Sequence, residues 1–268
     1  MDRAMRLALS LVGIGTLFLA LGFATRQPWA TNLWPWDDGR LSFIFIGSIA
    51  AAVATPILWI AATGELRAAA PGALNLIVSF GGAAATLGWL AARQGAARLL
   101  VTALAFALAT LATLAIWYWS RRLPFRDPRP LPLPVRASFG LFGALLIPVG
   151  LALVLRAPHV FPWPLLPDSS TIFGWIFLGA SVYFLHGLLW PSWANAAGQL
   201  LGFLAYDLVL IGPFLSHFAS VKPEHRPSLI VYTAVLIYSG ALATYYLFLN
   251  PTTRLLFAPS GHLPPSRS

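Results

Sequence analysis

Asp207 is the residue of this sequence best placed to do chemistry. It stands near the middle of the apolar run AGQLLGFLAYDLVLIGPFL. A carboxylate at the centre of a bilayer costs about 2.5–3.5 kcal/mol even on the lenient insertion scale, so it must face protein or a water pocket. There it can pass a proton, hold a cation or mark a polar point in a substrate path. As a protonated acid it can instead tie helices together by hydrogen bonds. His186, in YFLHGLLWP, is a second proton or substrate candidate. The segments carrying the two residues form a hairpin with its turn near 191–194. Counted from that turn, His186 and Asp207 differ in depth by roughly 13 Å, too far for contact. Tyr183 and Ser181 lie nearer the level of Asp207 and could bond to it.

Three further acids sit in loops. Asp37 and Asp38 follow the tryptophans of NLWPWDDGR, and Asp168 closes FPWPLLPDSS. Hard cations want several oxygen ligands. If these loops meet, the three carboxylates form an outward site suited to a metal or to lipid-modifying chemistry, although no spacing motif marks one. The plainer reading is interfacial: Trp rings favour the headgroup layer, and Asp38 and Ser170 are positioned to cap the helices that follow. No phosphate-cradling glycine loop, Ser-His-Asp order or zinc-type histidine spacing appears, and there is no cysteine. A bis-His haem fits poorly, because His217 falls at the far end of its segment. No cofactor is implied. The SGH at 260 lies in a Pro/Ser-rich tail and reads as a disordered end.

The elements that must hold these residues are membrane helices. A soluble domain carries about 25% charged residues; this chain carries 9% and is 58% hydrophobic. Eight apolar runs are long enough to cross a bilayer: 5–25, 41–63, 70–91, 97–119, 136–156, 171–190, 195–216 and 227–249. The first follows Arg3 and Arg6 like a signal peptide, but its length and the absence of a small-x-small cleavage site make it a retained helix. The net charge of +9 resides mainly beside the spans, where it orients the chain and meets anionic lipid. That context excludes nucleic-acid recognition.

One linker divides the chain. RRLPFRDPRPLPLPVR, 121–136, holds five prolines and five arginines and cannot be helical throughout. The parts on either side, 1–126 and 127–268, echo each other. RQP at 26–28 answers RAP at 156–158, a Trp/Pro loop follows each, and LSFIFIGSIA at 41 answers FGWIFLGASV at 173. Asn75 then falls opposite Asp207 in the alignment of the two parts and becomes a partner candidate. The predicted fold is an all-α polytopic membrane protein of about eight transmembrane helices in two parallel four-helix repeats. More of the seventeen Lys and Arg lie on the side of the termini and the linker. The positive-inside rule therefore places both termini in the cytoplasm and the Trp/Pro loops outside. GGAAATLG (81–88) and the series Ala105, Ala109, Thr113 are small-residue faces suited to close helix contact. Pro56, Pro148 and Pro213 can kink their spans.

The Trp-Pro-Trp and Pro-Trp-Pro loops, each followed by an aromatic-rich helix with an early glycine (Gly47, Gly179), resemble those of a type of bacterial multi-span membrane protein with duplicated four-helix halves. The resemblance implies a bacterial inner-membrane location and nothing about chemistry. Duplicated halves, kinked spans and an acid at the repeat interface make a transporter or permease the leading reading, with two alternatives. The scarcity of polar residues in the spans points to a non-catalytic membrane subunit or scaffold, and the outer carboxylates to a lipid-modifying enzyme. The expected partners are the lipid bilayer and, according to the reading, a small-molecule substrate or other membrane subunits.

Overall fold

The computed structural model describes residues 1–255; the SGH at 260 lies outside the described residues. Eight helices are long and apolar enough to cross a membrane: α1 (Arg3–Ala24), α2 (Arg40–Thr63), α3 (Ala69–Gln94), α4 (Ala97–Ser120), α5 (Leu133–Val154), α6 (Pro167–Leu189), α7 (Trp193–His217) and α8 (Arg226–Thr244). The last continues through a five-residue π turn, Tyr245–Leu249. In hydrocarbon every backbone N–H and C=O must be bonded within the segment, which is why each apolar run becomes a helix. The chain is a polytopic, all-helical membrane protein.

The helix ends follow local chemistry. Asp2 accepts the Met5 N–H and starts α1, and Ser192 accepts the Asn195 N–H and starts α7. Gly64 and Gly95 take positive φ to end α2 and α3, the conformation that glycine adopts without strain. α1 and α5 end differently, and alike. Arg26 and Arg156 hold φ of 57° and 61°. The N–H three residues past each helix bonds back five positions, Gln27 to the Gly22 carbonyl and Ala157 to the Ala152 carbonyl, both at 2.8 Å. Each is a Schellman turn with arginine where glycine is usual, followed by a proline.

α1 packs on α2 and α5 on α6; α2 packs on α7 and α3 on α6; α3 packs on α4 and α7 on α8. This order reads the same when the two groups of four helices are exchanged. The inner helices are α2, α3, α6 and α7. Backbones come close where glycine allows it. A Cβ on Gly47 would stand 2.7 Å from the Ala20 carbonyl oxygen, and one on Gly174 would stand 2.6 Å from the Val154 nitrogen. Gly82 lies beneath the Trp175 ring, and Gly81 beside Thr110 of α4, so the 81–88 run is a contact face on both sides. The series on α4 is only partly so. Thr113 is buried, but Ala105 is exposed and the inward row runs through Leu99 and Ala103. The helical period carries position 105 off that row. Pro56, Pro148 and Pro213 lie inside α2, α5 and α7, which continue past them as helix.

The interior is filled. Phe45 is fully buried with five aromatic rings around it, Phe161, Trp163, Phe173, Phe177 and Tyr206, at centroid distances from 4.8 to 6.3 Å. Phe139, Phe142, Phe184 and Trp193 fill the end nearer the linker. Alanine at Gly47 or Gly174 meets backbone that cannot yield, so each substitution is expected to cost about 1–3 kcal/mol. Gly72→Ala, with nothing within 4 Å of the new carbon, should be neutral or slightly stabilising. Thermal unfolding of the three variants in detergent checks this ordering.

Candidate functional site

At the Trp/Pro end the two halves interlock through buried polar groups. The Trp34 indole N–H donates to Asp38 Oδ2 at 2.6 Å, and the Ser169 hydroxyl donates to the same oxygen. Reciprocally, the Trp163 indole N–H from the second half donates to Ser42 Oγ in the first, at 3.0 Å. Burial pushes the Asp38 carboxyl above its ordinary value, and hydrogen bonds from Ser169, Trp34 and Ser42 pull it part of the way back. Asp38 therefore does not cap α2. Gly39 is the N-cap residue, with no side-chain bond. Ser170 caps nothing either: α6 already starts at Pro167, and the Ser170 hydroxyl donates to the Leu153 carbonyl at 2.9 Å. These two helices begin one and four residues before the sequence-based boundaries, which is enough to change what a polar residue at the end can reach.

The three acids of the Trp/Pro loops do not assemble. Asp38 is buried in the interlock, Asp168 is paired with the Arg156 guanidinium at 2.8 Å, and Asp37 is exposed. Among the described residues no group of three His, Asp or Glu side chains is placed to hold a metal. Each Trp/Pro loop is tied down from its own half. Arg98 donates to the Asn32 and Trp34 carbonyls at 2.6 and 2.8 Å, while His217 and His225 bond the Pro162 and Phe161 carbonyls at 3.1 and 2.8 Å.

Asp207 lies within the span of α7 and faces α8. The Ser239 hydroxyl donates to its Oδ2 at 2.8 Å and lies equally close, 2.8 Å, to the Val235 carbonyl. One hydroxyl proton cannot serve both acceptors, and a proton on the carboxyl would complete the set. Asp207 Oδ1 is buried and has no hydrogen-bond partner among the described residues. Beside it a cleft of 230 Å³ is lined by Leu204, Leu208, Ile211, Ile237, Gly240 and Thr244. Leu208 and Ile237 are exposed on the apolar surface, so the cleft opens sideways toward lipid.

This corrects two expectations. Tyr183 and Ser181 are not the neighbours of Asp207: the Tyr183 hydroxyl lies against Gly198, and Ser181 bonds the Leu178 carbonyl. The acid is also not at the interface between the halves. α7 meets α2 through Gly202, whose Cβ position is 2.8 Å from the Ala52 carbonyl oxygen. Five residues on, the helix has turned about 140° away from that contact. Asn75 does lie between the halves, accepting from Ser79 at 3.1 Å and packed with it against Gly179 of α6. Asn75 and Asp207, matched in sequence, therefore stand in unlike places. His186 is buried, with its ring 4.7 Å from that of Trp190, and shares no contact with Asp207.

A further group, at the linker end, was missed in the sequence. Glu65 is buried between α2 and α3, and its Oε2 accepts the backbone N–H groups of Arg126 and Asp127 at 2.9 and 3.0 Å. Arg126 donates to the Thr63 carbonyl at 3.0 Å. The Arg129 carbonyl takes the Trp193 N–H at 3.0 Å, and its guanidinium pairs with Asp127 at 2.6 Å. The linker is thus pinned across the bundle's end. Burial raises the Glu65 carboxyl, and the two backbone N–H groups offset part of the rise. Burial also acts on Asp127, but its hydrogen bonds and charge contact with Arg129 outweigh it and hold that carboxyl low. Glu65 Oε1, His186 Nδ1, Trp193 Nε1, Asn195 Oδ1 and the Gln199 amide are all buried without hydrogen-bond partners among the described residues. The available signal was a lone acid, GELR, between two spans on the side of the arginine-rich linker.

The chain matches no protein-family model, no curated protein and no solved structure.

Two outcomes follow from these contacts. Removing the Glu65 carboxylate strands two linker N–H groups, so Glu65→Ala should cost about 1–3 kcal/mol and expose the arginines of 121–129 to trypsin, with Glu65→Gln milder. A carboxyl raised by folding binds more protons folded than unfolded, so stability falls as pH rises from the ordinary glutamate value through the raised one. Linker protection should therefore increase on mild acidification in the native protein and not in Glu65→Gln. At Asp207, the Asn variant should fold normally and the Ala variant should lose about 1 kcal/mol. A protonated-carboxyl infrared band present in the native protein and missing in Asp207→Asn checks the proton count.

Proposed function

We propose that this protein is a non-transporting membrane subunit or scaffold, built from two four-helix repeats and seated in the bacterial inner membrane with its termini and linker in the cytoplasm. One observation carries the reading: Asp207 stands at the floor of a cleft that opens sideways to lipid, while the space between the halves is packed with aromatic rings. A lipid-facing cleft with a buried carboxyl behind its apolar walls suits close packing of a neighbouring membrane helix, because close packing and interhelical hydrogen bonds drive association in lipid. Gly240 and Thr244 line the cleft and leave room for a close approach.

The matching turns at Arg26 and Arg156 and the exchangeable packing order support duplication. The excess of Lys and Arg at the termini and linker supports the orientation. A photo-crosslinker at Leu208 or Ile237 is expected to trap one defined membrane protein, and Asp207→Ala to abolish the adduct. Reporter fusions after residues 30, 66, 128 and 165 should read cytoplasmic at 66 only if the 128 fusion does so as well. A periplasmic reading at 128 reverses the orientation.

A transporter is the second reading, favoured by the same intramembrane acid. It requires pH-dependent uptake in proteoliposomes that Asp207→Asn changes. Uptake absent from the native protein, alongside a defined crosslinked partner, decides for the scaffold.

A further inference from the structure

At the Trp/Pro end a cavity of 340 Å³ is lined by Arg26, Asn32, Trp34, Asp37, Asp38 and Arg98, among others. Neither the scaffold reading nor the transporter reading uses it. Its charges are arranged differently from those at the matching place in the second half. There, the Schellman turn at Arg156 aims the guanidinium at Asp168, and the two are paired at 2.8 Å, with Thr171 also in reach at 3.3 Å. The same turn holds Arg26, and Asp38 stands as far along the chain from Arg26 as Asp168 does from Arg156. Asp38, however, is turned inward to Trp34 and Ser169. Among the described residues Arg26 has no ion pair, and the only ion pairs are those of Arg129 and Arg156.

Arg98 supplies a second guanidinium. One of its terminal nitrogens holds the loop carbonyls of Asn32 and Trp34, which fixes its position and leaves its other N–H groups without protein partners among the described residues. Of the two carboxylates in the same wall, Asp38 is taken up by Trp34 and Ser169, whereas Asp37 is exposed and has no ion pair among the described residues.

The cavity adjoins an apolar face. Trp29, next to the lining residues, is exposed and stacks on exposed Phe18 of α1, with centroids 4.7 Å apart and planes 9° apart. Leu21 and Leu33 extend that face. Tryptophan at a helix end marks the headgroup layer. Acyl chains can lie along α1 while a polar group reaches into the cavity. Two guanidiniums match a phosphodiester, and a carboxylate beside them matches a cation on the same headgroup.

We infer that this cavity binds the headgroup of a phospholipid carrying both a phosphodiester and a primary ammonium group, with Arg26 and Arg98 on the phosphate and Asp37 on the ammonium. The test is native mass spectrometry of the full chain, loaded from nanodiscs of phosphatidylethanolamine, phosphatidylglycerol or phosphatidylcholine, with inorganic phosphate as competitor. Phosphatidylethanolamine should be retained best. Arg26→Gln should reduce its retention by roughly tenfold, the size of one lost charge-assisted contact. Asp37→Asn should remove the preference for phosphatidylethanolamine over phosphatidylglycerol. Arg156→Gln, whose side chain is paired within the protein, should leave retention unchanged, and circular dichroism should show all variants folded. Equal retention in Arg26→Gln and the native protein overturns the site. Displacement by millimolar inorganic phosphate overturns the lipid as its source, and an unaltered preference in Asp37→Asn overturns the ammonium contact.

Discussion

Apolar side chains gain little by moving from lipid tails to one another, so helices in a membrane hold together by close backbone approach and by bonds between the few polar groups they carry. This chain meets that constraint with glycines at the tightest crossings and polar clamps at each end of the bundle. Gly47 and Gly174 let α1 and α5 press against their neighbours. At the Trp/Pro end, Asp38 takes donors from both halves and Trp163 bonds back to Ser42. At the other end, Glu65 holds the linker by its backbone. Beside the Trp/Pro clamp, aromatic rings from both halves fill the volume around Phe45.

The points of chemical interest arise where the two halves depart from each other. Asn75 forms part of the packing between halves, whereas Asp207, its match in sequence, faces α8 and an open cleft. Arg156 is neutralised by Asp168, whereas Arg26 is left beside a polar cavity because Asp38 serves the interlock. Helices that pack in a matching order can still place matched residues in unlike surroundings. Both departures open toward the apolar outer surface or the Trp/Pro end of the bundle.

The sequence by itself determined the spans. An apolar run of about 20 residues has one way to satisfy its backbone in lipid, and all eight predicted segments are helices. It also located the loops, the linker and the shared Arg-x-Pro turns, because proline, tryptophan and basic residues mark membrane ends by their own physical preferences. Tertiary structure alone decided the neighbours. Which face of α7 meets α2 and which meets α8 depends on helix rotation and on where glycines permit contact, so the partner of Asp207 proved to be Ser239, thirty-two positions along the chain, and not Tyr183. Asp38 went to the interlock because the first turn of α2 begins beyond it, and Glu65 acquired a role because a distant linker folds down onto it. Hydropathy reports the depth of a residue. Only packing sets its direction, and a polar group's function in a membrane depends on what lies in that direction.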